Sequence, residues 1–443
     1  MTETIYALSS GAGKAGVAVI RVSGSRAGAA LEALSRRPVP PPRRATRVRL
    51  AEPGSSEALD HGLALWFPEP ASYTGEDVTE LHVHGGRAVI DGVIAALGKV
   101  NGLRLAEPGE FTRRAFEHGK LDLTAAEGVA DLVGAETHSQ RRQALRQMDG
   151  ALGRLYEEWR TRLVRALAHL EAELEFPDED LPGAVTPAIL PDVEAVAADI
   201  RRHLDDRHKG ERLRDGLAIA ILGAPNAGKS SLLNRLARRD AAIVSATAGT
   251  TRDVIEVHLD LGGYPAVVAD TAGLGAARDE IEAEGVRRAR LRARQADLKL
   301  AVFDATLWPE TDSATAALVD GDALVVLSKC DLARPEGAPI VGDRPAHLVS
   351  SVTGEGIGVL MDAMAAEVSA RLALGEAPAL TRARHREALE ACVAALERVR
   401  AAPLPELAAE NVRLAVRALG RITGRVDVED ILDVVFREFC IGK

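Results

Sequence analysis

The fold class predicted for this sequence is α/β multidomain: a mixed α+β N-terminal region, then a central helical domain interrupted by an inserted P-loop nucleotide-binding domain. Three observations predict it. The chain has 443 residues, too many for one compact core and enough for about three domains. The segment Gly223-Ala-Pro-Asn-Ala-Gly-Lys-Ser230 matches G-x-x-x-x-G-K-[ST], between an apolar run (Leu217 to Leu222) and a stretch that opens a helix at Ser231. Helical periodicity, with apolar residues three or four apart, flanks that loop on both sides.

These patterns draw the boundaries: 1–118 for the N-terminal domain, 119–215 for the first helical part, 216–372 for the nucleotide domain and 373–443 for the second helical part. In the first region Gly16 to Val22 and Leu81 to His84 read as strands, and Ala88 to Val100 as a helix. Pro38 to Arg49 is a basic, proline-rich loop, and a solvated loop is the preferred reading over an RNA contact. His82 and His84 share a strand face, but no third ligand stands near them, so a metal pair is disfavoured. Helical pattern runs from Leu121 to Glu175, is broken by Pro177 and Pro182, and resumes from Asp192 to about Arg214. It returns from Thr381 to Gly420. The basic helix around Val286 to Arg294 is read as a solvated face balanced by Glu280, Glu282 and Glu284.

In the phosphate loop, successive backbone N–H groups and the positive helix start converge on a phosphate chain. The residues from Asn226 through Ala227, Gly228, Lys229, Ser230 and Ser231 form its contact stretch. Lys229 reaches the terminal phosphates and the Ser230 hydroxyl ligates Mg²⁺. Three further pieces follow at the spacing of a guanine-nucleotide domain. The first switch is read at Gly249-Thr-Thr-Arg-Asp253, in the loop after the first helix, where Thr251 reaches Mg²⁺ when a γ-phosphate is present; nucleotide contacts are expected from Ser245, Ala246, Thr247 and Ala248 through Gly249, Thr250 and Thr251. Asp270, Thr271, Ala272 and Gly273 end an apolar run; the Asp holds Mg²⁺ through water and the Gly N–H meets the γ-phosphate. Ser328-Lys-Cys-Asp331 resembles the base-reading N-K-x-D, whose Asp accepts two hydrogen bonds from guanine. Ser350, Ser351 and Val352 fit the last guanine-binding loop. Each string is weak alone; four in order predict a Ras-like P-loop GTPase domain. Ser328 stands where Asn is expected, and its shorter side chain predicts an affinity loss on the order of 1 kcal/mol. Many GTPases place a water-orienting Gln after the D-x-x-G glycine. Here that position is Leu274, and Glu282 is the candidate replacement. Lys229, Thr251 and Glu282 are therefore the expected catalytic groups.

Composition sets outer bounds. With 47% apolar and 27% charged residues the chain is globular. No apolar run is long enough for a membrane span, and the N-terminus does not read as a secretory signal. The three cysteines, Cys330, Cys392 and Cys440, lack paired or metal-ligand spacing, which fits a reducing cytoplasm. A net charge of −10 argues against tight unassisted nucleic-acid binding.

Beyond the nucleotide motifs, the chain resembles the MnmE (TrmE) family of tRNA modification GTPases over nearly its whole length. The resemblance is carried by Val19 to Gly24, Tyr73 to Asp77, His84 to Gly86, Pro108 to Thr112, Arg114 to Phe116, Gly119 to Leu123 and the terminal Phe439-Cys-Ile-Gly-Lys443. The segment Ser9 to Gly16 departs from the family's Pro-Gly turn. The resemblance implies an N-terminal domain that dimerises and binds a tetrahydrofolate derivative, 5-formyl- or methylene-tetrahydrofolate. Arg21, Glu80 and Lys120 fall on its folate-contacting positions, and Lys443 reaches the same site. It implies a K⁺ beside the phosphates, held by Asn226, Ser245, Thr247 and Thr250, and it matches Glu282 to the family's water-orienting Glu. It further implies a homodimer joined by an FAD-dependent MnmG (GidA)-type protein in a heterotetramer. That complex installs an aminomethyl or carboxymethylaminomethyl group on carbon 5 of the tRNA wobble uridine. Cys440 is either a nucleophile or one-carbon contact, or a small buried residue. Two other readings compete: a GTPase assembly switch, as in ribosome biogenesis, and a folate module whose GTPase is regulatory only.

Overall fold

The structure, a computed structural model, describes residues 3–11, 13–55, 57–175, 185–239, 241–243, 256–270, 296–375, 377–426, 432, 435–437, 439, 441 and 442. They form two compact units. The first comprises Met1–Ala130, Gln147–Leu167 and Val412–Lys443; the second comprises Asp131–Arg146 and Ala168–Asn411.

The first unit is built on a six-stranded sheet, ordered β3-β4-β5-β2-β1-β6. Its strands are β1 (Thr4–Leu8), β2 (Ala15–Ser23), β3 (Thr46–Ala51), β4 (Ala58–Phe67), β5 (Val78–Gly85) and β6 (Leu103–Leu105). The helices α1 (Ala27–Ser35) and α2 (Arg87–Gly98) cover one face. Alternation along β2 and β5 sends Ala18, Ile20, Val22, Leu81 and Val83 into that core with Leu31, Leu34, Val93 and Leu97. The intervening Arg21 and Glu80 therefore belong to the opposite face. There Ile5, Ala7, Ala106 and Phe111 make a second cluster, Phe111 coming from α3 (Glu110–Glu117). The described residues of the chain's end, Leu432, Val435, Phe436 and Phe439, pack on Leu123 and Ala126 of α4 (Leu123–Gly134). Beyond them Ile441 forms an antiparallel bridge with Pro108. Gly442, at φ 99°, lies so close to the Leu8 carbonyl that a Cβ has no room there.

The continuous helical run expected from Leu121 to Glu175 is three helices: α4, α5 (His138–Met148) and α6 (Ala151–Glu175). Asp122 caps α4 by accepting the Ala125 N–H, and Gly150, at φ 79°, separates α5 from α6. Likewise the 192–214 stretch is α7 (Val185–Leu204) and α8 (Lys209–Asp215), parted at Arg207 and His208, both with positive φ. Pro403 and Pro405 split the last predicted run into helices Ala383–Ala401 and Pro405–Thr423, since proline cannot continue a helix.

The second unit carries an eight-stranded sheet, ordered β13-β14-β12-β11-β7-β10-β9-β8. The strands are β7 (Leu217–Leu222), β8 (Ala242–Ile243), β9 (Glu256–Leu261), β10 (Tyr264–Asp270), β11 (Leu298–Asp304), β12 (Ala323–Ser328), β13 (Ile340–Val341) and β14 (Arg344–Leu348). Its middle, β10-β7-β11-β12-β14, is parallel. The chain leaves β7 for β10 on one side and β11 on the other, the switch point where such sheets bind ligands. Leu217, Ile219 and Ile221 are buried against Leu232, Leu233 and Leu236 of α9 (Lys229–Ala237) and against helix Ile357–Leu372.

His203, near the end of α7, shows what this packing costs. Burial pushes its pKa down to about 4; nearby Asp206 opposes that, while His385 and Arg386 reinforce it. The folded state thus holds His203 neutral, whereas the unfolded chain protonates near pH ~6.5. Between those values the unfolded chain binds more protons, so stability falls as pH is lowered through that window and levels off below it. We expect the denaturant midpoint of the full-length protein to drop more steeply from neutral pH to pH 4 than that of His203→Gln. Parallel profiles would remove His203 as the cause.

Candidate functional site

The nucleotide site is assembled where β7 and β12 end. Gly228, at φ 93°, caps α9 and lets the helix open at Lys229, two residues before the Ser231 start expected from the sequence. Asn226 also takes a positive φ, 62°, and is exposed. Ala227 is buried beneath the loop, whereas Ser230 and Ser231 are exposed at the helix start. Lys229 Nζ donates to the carbonyls of Gly223 at 2.8 Å and Ala224 at 2.7 Å, so the ammonium is bent over the loop. With the first helical amides it makes a concave cationic cradle suited to phosphate.

Ser328 ends β12 directly below that cradle. Its hydroxyl donates to the Ala227 carbonyl at 2.5 Å, with the Phe303 carbonyl at 3.1 Å as a second acceptor. The expected affinity loss rested on the hydroxyl being too short. Instead the strand carries it close to the loop: a Cβ on Gly228 would stand 3.2 Å from Ser328 Oγ. A short side chain is what this close approach accommodates.

Lys329 follows with φ 62° and donates to Asp304 Oδ2 at 2.5 Å. Asp304 ends β11 and also accepts the Thr306 N–H. Burial works to raise its pKa, but the hydrogen bonds from Lys329 and Thr306 outweigh it and hold the carboxyl below its ordinary range. Asp304 was not among the residues singled out from sequence, although it closes an apolar run just as Asp270 and Ser328 do. Asp331 is exposed and makes no hydrogen bond or ion pair to a described residue, so both oxygens are open to an incoming donor pair. Ser350 is buried; its Oγ accepts the Thr353 N–H and its own N–H donates to the Glu355 carbonyl, closing a tight loop. Ser351 is half-buried in that loop and Val352 is 81% exposed at its tip. Cys330 is buried, and burial pushes its thiol pKa up, as it does for Cys392, to about 12. Both thiols are held protonated and unreactive.

Several predicted positions lie outside the described residues: Ser245 to Thr251, Thr271 to Gly273, Leu274, Glu282, Cys440 and Lys443. Asp270 is described as the last residue of β10.

In the first unit the register sets Arg21 of β2 opposite Glu80 of β5. Arg21 Nε and Nη2 donate to Glu80 Oε1 at 3.1 and 2.9 Å. The guanidinium also lies 5.3 Å from the Tyr73 ring centroid and 5.6 Å from that of Phe111. Tyr73 and Phe111 were quoted from sequence only as parts of motifs, and neither was singled out for a site. Tyr73 is pinned by a 2.8 Å hydrogen bond to Thr112. Behind this group a buried set joins Arg114 to Glu76 at 3.0 Å, and Glu76 to Ser23 at 2.8 Å. Lys120 is exposed, and its Nζ donates to the Pro70 carbonyl at 2.8 Å. His82 lies 3.5 Å from Glu80, while His84 pairs with Asp60. No three-residue group of metal-binding side chains occurs among the described residues.

The model of the MnmE helical domain matches residues 123–440, and that of the GTP-binding protein TrmE N-terminus matches residues 4–120. The chain belongs to the MnmE (TrmE) family. A family member from Paramagnetospirillum magneticum, a tRNA modification GTPase MnmE, is 60% identical over 443 residues and covers 100% of both chains. Counterparts of the same name are 57% identical in Parvibaculum lavamentivorans, over 100% of both chains, and 58% identical in Rhodospirillum rubrum, over 100% of this chain and 99% of that one. Among solved structures, the G domain of the T. maritima FeoB iron transporter aligns with 34% of this chain and 98% of its own. Its identity is 23% and its TM-score 0.26, too low for further deduction.

Within this family site, Ser328 is expected to be a positioning residue. Ser328→Ala removes the donor to Ala227 and should raise the Kd for GDP and GTP about tenfold, the weight of one buried hydrogen bond. Turnover at saturating GTP should change little, and Ser328→Thr should restore binding. Fluorescent-nucleotide titration reads all three variants. An unchanged Kd for the alanine variant would mean that the loop holds its shape without the brace.

Proposed function

We propose that this GTPase works in a tRNA-modifying complex, coupling GTP hydrolysis to chemistry on carbon 5 of the wobble uridine. The observation that carries the reading is the convergence of the phosphate cradle, the Ser328 brace and the open Asp331 carboxylate at the C-terminal ends of the parallel strands β7 and β12. It occurs in a chain whose relatives bear the name tRNA modification GTPase.

The roles follow from the chemistry of each group. The loop amides and Lys229 hold the phosphates, and the Ser230 hydroxyl, at the start of α9, is suited to Mg²⁺. Asp331 accepts the paired donors of guanine, which adenine lacks. Thr251 senses the γ-phosphate, and Glu282 orients water in place of the missing Gln. The exposed Asn226, raised on a positive-φ turn, is suited to hold K⁺ together with Ser245, Thr247 and Thr250. K⁺ supplies positive charge beside the phosphates as hydrolysis proceeds.

The first unit offers a second site of a different kind. The Arg21 cation and the Glu80 carboxylate, flanked by the Tyr73 and Phe111 rings, suit a flat heterocycle with a donor-rich edge and a carboxylate tail. Lys120 and Lys443 add cations. A tetrahydrofolate derivative has this chemistry and supplies the one-carbon unit. An FAD-dependent MnmG-type partner and tRNA complete the complex, and the chain itself acts as a dimer.

Two experiments test the proposal. GTP turnover should rise strongly when Na⁺ is replaced by K⁺ at matched ionic strength; equal rates would sink the bound-ion role. Deleting the last four residues should abolish wobble-uridine modification and weaken folate binding, while GTP hydrolysis persists. The described part of that tail already lies against Pro108 and Leu8. Normal modification by the truncated chain would show the tail to be incidental.

A further inference from the structure

The second unit contains a cavity of about 210 Å³ at the end of the sheet's parallel strands opposite the phosphate loop. One wall is α5. Ser139, Arg142, Gln143 and Arg146 fall at i, i+3, i+4 and i+7, a single stripe of that helix, and all four line the space. The other wall includes Leu213 of α8, Tyr264 at the start of β10 and Leu372 at the end of its helix.

Two features of the polar wall call for a ligand. Ser139 and Gln143 are buried, at 6% and 8% exposure, yet neither side chain hydrogen-bonds to a described residue. Their amide and hydroxyl therefore open onto the cavity and are available to a bound molecule. The two guanidiniums sit one turn apart on the same stripe, and no carboxylate lines the cavity to balance them. Arg142 has no ion pair with a described residue, and Arg146 has only a 3.5 Å contact to the Gly375 carbonyl. Like charges at this spacing repel.

We infer that this cavity binds a small phosphomonoester with an apolar body. An anionic head answers the repulsion and accepts from the donors that face the cavity. The donor set favours phosphate over carboxylate: two guanidinium forks, an amide and a hydroxyl offer more hydrogen bonds than two carboxylate oxygens can accept. The leucines and the Tyr264 ring face the remainder of the ligand. Bound there, it would tie α5 to the trailing end of the nucleotide domain. The inference does not depend on the tRNA function proposed above.

Phenyl phosphate is the probe, titrated calorimetrically into full-length protein already saturated with GDP and Mg²⁺, so that the phosphate loop is filled. We expect one saturable site. Inorganic phosphate should bind more weakly there, because it leaves the apolar wall uncovered. Arg142 is exposed, so Arg142→Ala should fold normally, checked by unchanged GDP affinity, and should weaken phenyl phosphate binding about tenfold. The double variant Arg142→Ala/Arg146→Ala should abolish it. No saturable binding by ~10 mM, a concentration already far weaker than ordinary metabolite affinities, would overturn the inference. So would full affinity in Arg142→Ala, or equal affinity for the two phosphates.

Discussion

The register of β7 between its two parallel neighbours fixes everything that the nucleotide unit does. Ile221 stands opposite Asp270 on one side and Leu222 opposite Ala301 on the other; further out, Asp304 stands opposite Ser328. β10 and β7 thus end almost level, while β12 runs on to the level of Asp304, past the end of β7, which brings Ser328 up beside the phosphate loop. What holds the register is apolar: Ile219, Ile221, Val268, Leu300 and Val302 are all essentially buried. A slip of one residue would turn that set to the wrong face, and would carry Ser328 away from the Ala227 carbonyl. The brace is therefore a product of core packing rather than of its own modest hydrogen-bond strength.

A different logic governs the N-terminal sheet. Its pleat divides β2 between a hydrocarbon core on one face and Arg21 on the other, and the cross-strand register delivers Glu80 to the same place. Arg21 thus approaches any ligand already paired and already packed against two rings. Its charge is aimed before binding, which lowers the ordering cost that a free arginine would bear. The buried Arg114–Glu76–Ser23 set lies behind it and leaves little room for the two strands to shift.

Much of this could be read from the sequence, for identifiable reasons. Strands β7 and β12 are short apolar runs ending in motif residues, and burial on both faces makes such runs conspicuous. The phosphate loop is legible because few backbones do its work. Breaks within helical stretches were harder. The gaps near Gly150 and His208 depend on single residues with positive φ inside otherwise periodic sequence, and periodicity averages over such points. That Ser328 reaches the Ala227 carbonyl was not legible, because reach depends on how near β12 runs to the loop, which no local pattern records. Asp304 and the Tyr73–Phe111 pair were passed over for a related reason: their partners are distant in sequence and meet only through the sheets.

The bridge between Pro108 and Ile441 also bears on how the protein is made. Contacts that close so large a loop form late, and during synthesis this one cannot form until Ile441 has left the ribosome. The nucleotide domain, whose segments are nearly contiguous, has no such wait. A nascent chain would therefore acquire GTP binding well before its N-terminal sheet received its last packing partners. A ribosome stalled before Ile441 emerges would hold a protein able to bind GTP whose N-terminal unit still lacks this contact.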